Sequence, residues 1–414
     1  MKFNKSSQLA LVAAAGLLAA TLVTACSQVT QTLTIDFVFV ASSKAAGADN
    51  YGEIDTYEID SESGHMRQIP ASPFLSGGRD PVAETVSADY EDLFVANQDD
   101  NNIVQFVIGT DGKLYPYNAV NTPGIYPLAI TADSSNLFVV DTYQPLPICS
   151  TADPCSGSIA VYPLSIATKT VPVTIGSPAT NPAVNGNYWP LTLSGAAASD
   201  IIVPTGVNVL ASGSFVYVTA YDSSIAPHVG YVYGFAVGSD GTLTALPGSP
   251  FAAGTQPSAV ASDSTSSYLY VTDYARGQVL AYNVGASGVP TPMGGSPFPA
   301  GNQPSAIVVN PHYPYMYVTN SLDATISAYS TSNGALTSLG TYQTGLQPVA
   351  IGIDPSTARF LYTANYLGND VTGYQLSPTA GTLVSAQFSP FGASAQPTAV
   401  AAIPHNGTGA GIQK

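Results

Sequence analysis

The chain has 414 residues and a formal net charge of −16, with only 9% of residues charged against 45% hydrophobic. That balance excludes a nucleic-acid binder, because no basic surface exists to neutralise phosphates. With 38 Gly, 32 Pro and 25 Tyr, the chain is too turn-rich to be helical and too apolar to be disordered, which leaves a β-rich class.

Taken from its start, the chain opens with Lys2 and Lys5, then an apolar run from Leu9 to Val23 that closes on Val23-Thr24-Ala25-Cys26. A positive start, a short apolar middle and small residues at the end define an export signal rather than a membrane span. With Cys placed directly after Ala25, the stretch resembles a bacterial lipobox. The alternative is an ordinary signal peptide followed by a chance Cys. The lipobox implies removal of residues 1–25, acylation of Cys26 and a tether over residues 26–35. It makes the protein an exported, membrane-anchored lipoprotein of the periplasm or cell surface. Two further cysteines, Cys149 and Cys155, are expected to close a small disulfide loop in that oxidising compartment. A metal pair is the rival, but no other Cys or nearby His supports it.

Beyond the tether the sequence repeats itself. An X-Pro opening occurs at Asp80-Pro81, Tyr126-Pro127, Val203-Pro204, Gln256-Pro257, Gln303-Pro304, Gln347-Pro348 and Gln396-Pro397, with the prolines 44 to 53 residues apart except for one gap of 77. A period in this range is the mark of a repeat fold. After each of the first six openings comes an aromatic and β-branched run such as Leu93–Asn97 or Tyr268–Thr272. A third run follows, then a Gly-containing hairpin turn and a short fourth run, giving four strands per unit. The seventh unit is split. Phe37–Ala41, Glu53–Ile59 and Met66–Phe74 match strands two to four, and the missing first strand is at the other end, in Gln396–Ile403. Pairing the two ends hides two sheet edges.

The expected fold is therefore all-β: a seven-bladed β-propeller over residues 36–404, with four-stranded blades and a ring closed by the C-terminal strand. The long interval is expected to hold an insertion at about 143–157 and 171–202, and residues 405–414 form a tail.

The recurrent forms QPxAV, YLYVTN and GSPF resemble the lactonase-type propellers, relatives of 6-phosphogluconolactonase and of the YVTN-repeat proteins. The resemblance implies a ligand cleft at the central channel, where enzymatic members open a sugar lactone with His, Glu and Arg side chains. Ile125-Tyr126-Pro127-Leu128 stands where those enzymes carry His-x-His, and Ser258-Ala259-Val260 where they carry an acidic residue.

In a propeller, the loops between strands two and three and those preceding strand one share a face around the channel. Lactone hydrolysis needs a group titrating near neutrality and a donor for the oxyanion, which singles out Arg276, His228 and Asp141 as catalytic candidates. Asn97, Tyr143, Asp222, Asp273, Tyr274, Asn320 and Asn365 are the ligand-binding candidates. For the Asn and Asp residues the competing role is capping of local turns. No metal site and no cofactor are expected, and a monomer is expected.

Two functions follow. One is a lipid-anchored envelope module that binds a glycan, a small molecule or a protein at the channel face. The other is a lactone-ring hydrolase.

Overall fold

The computed structural model describes residues 34–145, 149, 155–165, 171–193 and 200–404. Seven antiparallel sheets account for them, each beginning with the strand that its X-Pro opens. Taken in chain order, blades 1 to 6 have inner strands Pro81–Val86, Ile125–Ala132, Ile202–Val209, Pro257–Ser262, Pro304–Val309 and Pro348–Ile353. Blade 7 is the split one. Its inner strand Pro397–Pro404 pairs with Thr34–Ala46, which pairs in turn with Tyr51–Asp60. Each inner strand touches the inner strands of its two neighbours, and 397–404 touches 81–86, so the ring is closed. Among the described residues there is no α-helix, only a 3-10 turn at Ser332–Gly334.

All seven inner strands carry a register shift at the same place, near the residue after the opening proline. Proline cannot donate to a ladder, so it sits on an edge strand, at the first residue in five blades and the third in blades 2 and 3.

The core is a set of seven interfaces, one at each seam between blades. The second strand supplies an aromatic ring at the same register in every blade: Phe94, Phe138, Tyr217, Tyr270, Tyr317, Tyr362 and Phe39, all fully buried. A buried tyrosine needs a partner for its hydroxyl, and here that partner is in the next blade. Tyr217 donates to the Gly288 carbonyl at 2.6 Å, Tyr270 to Gly334 at 3.0 Å, Tyr317 to Gly381 at 2.9 Å and Tyr362 to Gly64 at 2.9 Å. Each accepting glycine lies in a hairpin turn with positive φ, between 67° and 80°, which a side chain would strain. Third-strand tyrosines tie backwards. Tyr57, Tyr162, Tyr282 and Tyr329 donate to the outer strands of the preceding blades. Much of the tyrosine content is thus inter-blade bolting.

The inner strands add a third set of ties. Ser258 Oγ donates to the Pro304 carbonyl at 2.5 Å, Ser305 Oγ to Pro348 at 2.7 Å and Thr398 Oγ1 to Pro81 at 2.7 Å. The last of these spans the ring closure.

Blade 2 takes its outer strand, Trp189–Pro190, from the stretch 171–202 expected as an insertion. The Val173 carbonyl from the same stretch accepts from Gln105 Nε2 at 2.6 Å, which seats it against blade 1. Cys149 and Cys155 are joined in a disulfide, with their Cα atoms 5.4 Å apart. Cys26 and the residues of the export signal lie outside the described residues, as does the tail 405–414.

Candidate functional site

The seven inner strands are edge strands of their sheets, so one row of their backbone N–H and C=O groups faces the channel. Within it is a cavity of about 230 Å³ lined by residues of all seven inner strands. At the third position after the opening proline, six blades place Ile130, Val207, Val260, Ile307, Ile351 and Val400; blade 1 places Glu84. Among the described residues lining the cavity, Glu84 alone is ionisable, and none is cationic.

Glu84 is one of the lining residues, and both of its carboxylate oxygens are shut from solvent, with the backbone amides of Ala41 and Ala401 facing them short of hydrogen-bond geometry. Burial pushes its pKa up to about 8, tempered by the backbone amides of Ala401 and Ala41 across the closing seam. The carboxyl is therefore protonated at neutral pH. Motif reading missed it. The signal was present in the repeat itself, as the one acid in a column of Ile and Val.

The residues expected from the sequence lie in blades 1 to 6, at the ends of the second strands and in the loops that follow them. The residue that pairs with the opening proline lies near the end of each second strand and is its last residue in blades 1, 4, 5 and 6. In five blades it is Asn or Asp: Asn97, Asp141, Asp273, Asn320 and Asn365. Three of these side chains hold the incoming loop. Asp273 accepts from the backbone amides of Thr255 and Gln256, both at 3.0 Å, and Asn320 Oδ1 accepts from Gly301 at 3.0 Å. Asp141 Oδ2 accepts from the Gly124 amide at 3.0 Å. Burial pushes the Asp141 carboxyl up to about 7 against the opposing effect of Thr122 and Gly124. Asn97 donates to Asn102 Oδ1 at 2.9 Å, and Asn365 to Asp370 Oδ1 at 2.6 Å. Glycine three residues before the proline lets the loop approach. A Cβ on Gly124, Gly254 or Gly301 would meet Asp141, Asp273 or Asn320 at 2.3 to 2.6 Å.

The three catalytic candidates are not brought together. Asp141, His228 and Arg276 belong to blades 2, 3 and 4, and each has its own local partners. His228 Nδ1 is 2.8 Å from the Ile225 carbonyl, and its ring lies 5.0 Å from Tyr221. Arg276 Nε donates to Thr255 Oγ1 at 3.0 Å. No hydrogen bond or ion pair among the described residues joins any two of the three. Asp222 caps its own turn through the Ser224 amide at 2.9 Å, and Tyr143 meets Tyr126 edge to face. Tyr274 lines a second cavity of about 260 Å³ with Thr205, Gln256, Pro257 and Ser258. That cavity lies where Thr205 bonds within its own blade, to Thr219 Oγ1 at 3.0 Å, instead of stitching to the next. No group of three or more His, Cys, Asp or Glu among the described residues is placed to hold a metal ion.

The family model described as a lactonase, seven-bladed β-propeller, matches residues 289–401. Over that stretch the sequence is similar to the lactonase propellers, and the fold is a seven-bladed propeller. A periplasmic gluconolactonase of Pseudomonas aeruginosa superposes on this propeller with a TM-score of 0.67 at 16% identity, covering 89% of this chain and 99% of that one. A candidate 6-phosphogluconolactonase from Bacteroides fragilis gives 0.66 at 18% identity, covering 90% and 99%. Its counterpart from Bacteroides uniformis gives 0.67 at 16%, covering 89% and 100%. At these identities the likeness concerns the fold. No curated protein matches the sequence significantly.

Proposed function

We propose that this propeller is an exported, lipid-anchored module that binds a small, uncharged, polyhydroxylated ligand such as a sugar in its central channel. The observation that carries the reading is the 230 Å³ cavity, ringed by seven sheet edges, with the buried neutral carboxyl of Glu84 behind its wall and no cation among its described lining residues. Sugar hydroxyls both donate and accept, which suits a wall of backbone N–H and C=O groups. A phosphorylated ligand would lack any counter-charge there. The strand that follows the tether runs from Asp36, at the far end of the ring, up to Ser42 beside the mouth. Calorimetric titration of residues 27–414 with neutral sugars and their phosphates tests the reading. Binding of a neutral sugar that is weakened by Glu84→Gln supports it, and preference for the phosphate overturns it. Loss of lipid labelling in Cys26→Ser tests the anchor.

Glu84 favours a second reading, hydrolysis of a neutral sugar lactone. A carboxyl titrating near 8 suits general acid–base work, and edge amides could serve a developing oxyanion. Acid release from glucono-δ-lactone that is lost in Glu84→Gln supports this reading. No acid release from any lactone in a panel sinks it.

A further inference from the structure

In blades 1, 4, 5 and 6, the second residue before the opening proline faces the third residue beyond the residue that pairs with that proline. In blade 1 the pair is Arg79 and Asp100, an ion pair with Nη2 2.6 Å from Oδ1. In blade 4, Arg276 bonds Thr255. In blade 5, Asp323 accepts from the Asn302 amide at 2.7 Å and from Asn302 Nδ2 at 2.9 Å. Blade 6 differs from these three, with Leu346 facing Gly368 and a single backbone bond of 3.1 Å from the Gly368 amide to the Leu346 carbonyl. The corner has no side-chain clip and exposes its leucine instead.

Two more leucines extend it. Leu322 and Leu367 occupy equivalent positions in blades 5 and 6, two residues beyond the strand end, and Leu322, Leu346 and Leu367 are 65%, 62% and 60% exposed. The backbone bond from Thr344 to Ala324, at 2.8 Å, ties the loop of Leu346 to that of Leu322. The three loops thus form one ledge, and Gln347 leads from it into the inner strand 348–353 that lines the channel. An exposed apolar patch rimmed by polar groups marks an interaction site.

The rim indicates what the ledge meets. Asp323 and Asp370 border it, and the bonds from Asn302 hold the Asp323 carboxyl below its usual range. From residue 277 to 404 the only Lys or Arg is Arg359, in the turn between the first and second strands of blade 6, on the opposite face. We infer that the ledge of Leu322, Leu346 and Leu367 docks a partner protein through a segment that presents apolar side chains flanked by Lys or Arg. Apolar contact supplies affinity there, and the acidic rim supplies steering and selects against acidic segments. The inference does not depend on what the channel binds.

Fluorescence anisotropy with two labelled peptides tests it, one alternating Leu with Lys and one alternating Leu with Glu. Binding of the basic peptide, weakened about tenfold or more in the Leu346→Ser/Leu367→Ser variant, is the expected result. Leu75→Ser, an exposed leucine elsewhere, should bind as the parent does. Since all these leucines face solvent, the variants should melt with the parent, which separates loss of docking from loss of fold. Equal affinity for the parent and the double variant overturns the inference. Equal binding of the acidic peptide, or preferential binding to zwitterionic lipid vesicles, overturns it as well.

Discussion

Arg276 reaches Thr255 across the mouth corner of blade 4, Nε to Oγ1 at 3.0 Å, at the position that Arg79 and Asp100 occupy in blade 1. The cation that stands out in the sequence thereby acquires a structural part. It is one of several clips that fasten an incoming loop to the end of a second strand. Because it is exposed, Arg276→Ala should shift the melting temperature by no more than about 2 °C. It should also leave binding in the channel unchanged. Loss of channel binding in a variant with a normal melt would return Arg276 to the site.

The tyrosine bolts should be worth more. Tyr317→Phe removes a buried donor and leaves the Gly381 carbonyl without its partner, at a cost of about 1–2 kcal/mol. Tyr217→Phe should cost a similar amount by losing the bond to Gly288. Their seams are separate, so the double variant should lose the sum. Denaturant melts of the three variants measure this, and a double variant no worse than either single would show that the bolts do not act independently.

The ring was legible because every blade repeats the same solution to the same packing problem. The X-Pro opening, the aromatic of the second strand and the hairpin glycine each answer a steric demand that recurs seven times, so repetition amplified the signal. The site was less legible for the same reason. Asn97, Asp141, Asp273, Asn320 and Asn365 looked like a polar constellation, but they are the recurring strand-end residue. Several of them hold the next loop. What matters at a site is the departure from the repeat. Glu84 in a column of Ile and Val is such a departure, and so is Leu346 where blade 5 has Asn302. Neither belongs to a short motif. Whether Glu84 is buried and unpaired depends on Ala41 and Ala401, which are far from it in sequence.

Stability should depend on pH through buried acids, among them Asp92 and Asp141, raised to about 7, and two raised further, Asp36 in the split blade and Glu84 beside it. Glu84 is raised to about 8 by burial. Asp36 is raised to about 8 by burial and then by the charge of Asp354. Asp354 accepts the backbone amides of Thr357, Ala358, Arg359 and Phe360, while Ser356 Oγ donates to Asp36 Oδ1 at 2.8 Å. Both raised acids bind a proton in the folded state at pH values where the unfolded chain has released it. Folding stability therefore falls as pH rises from about 4 to about 8 and levels off above that. Glu84→Gln and Asp36→Asn should each flatten the slope and raise the unfolding free energy at pH 8 by an amount on the order of 1–3 kcal/mol, read as a higher denaturant midpoint. Midpoints at pH 5 and pH 8 that differ equally in parent and variants would remove these two groups as the cause.

Ring closure itself can be isolated by comparing two identical stitches. Thr398 Oγ1 donates to the Pro81 carbonyl and Ser305 Oγ to the Pro348 carbonyl, both at 2.7 Å. Thr398→Val and Ser305→Ala each remove one inter-blade bond, so each should cost about 1 kcal/mol. Their consequences for local opening differ. Ser305 joins two blades that are continuous with their neighbours through the backbone. Thr398 secures a strand with no covalent successor in the ring, held to Thr34–Ala46 only by side chains and a ladder. Loss of its stitch should lower the free energy of sub-global opening at that seam. Amide exchange should then quicken in Thr34–Ala46 and Pro397–Pro404 of Thr398→Val, with blades 3 to 5 unchanged. In Ser305→Ala these two strands should keep parental protection. Equal protection of both strands in the two variants would mean that the split blade closes no less firmly than a continuous one.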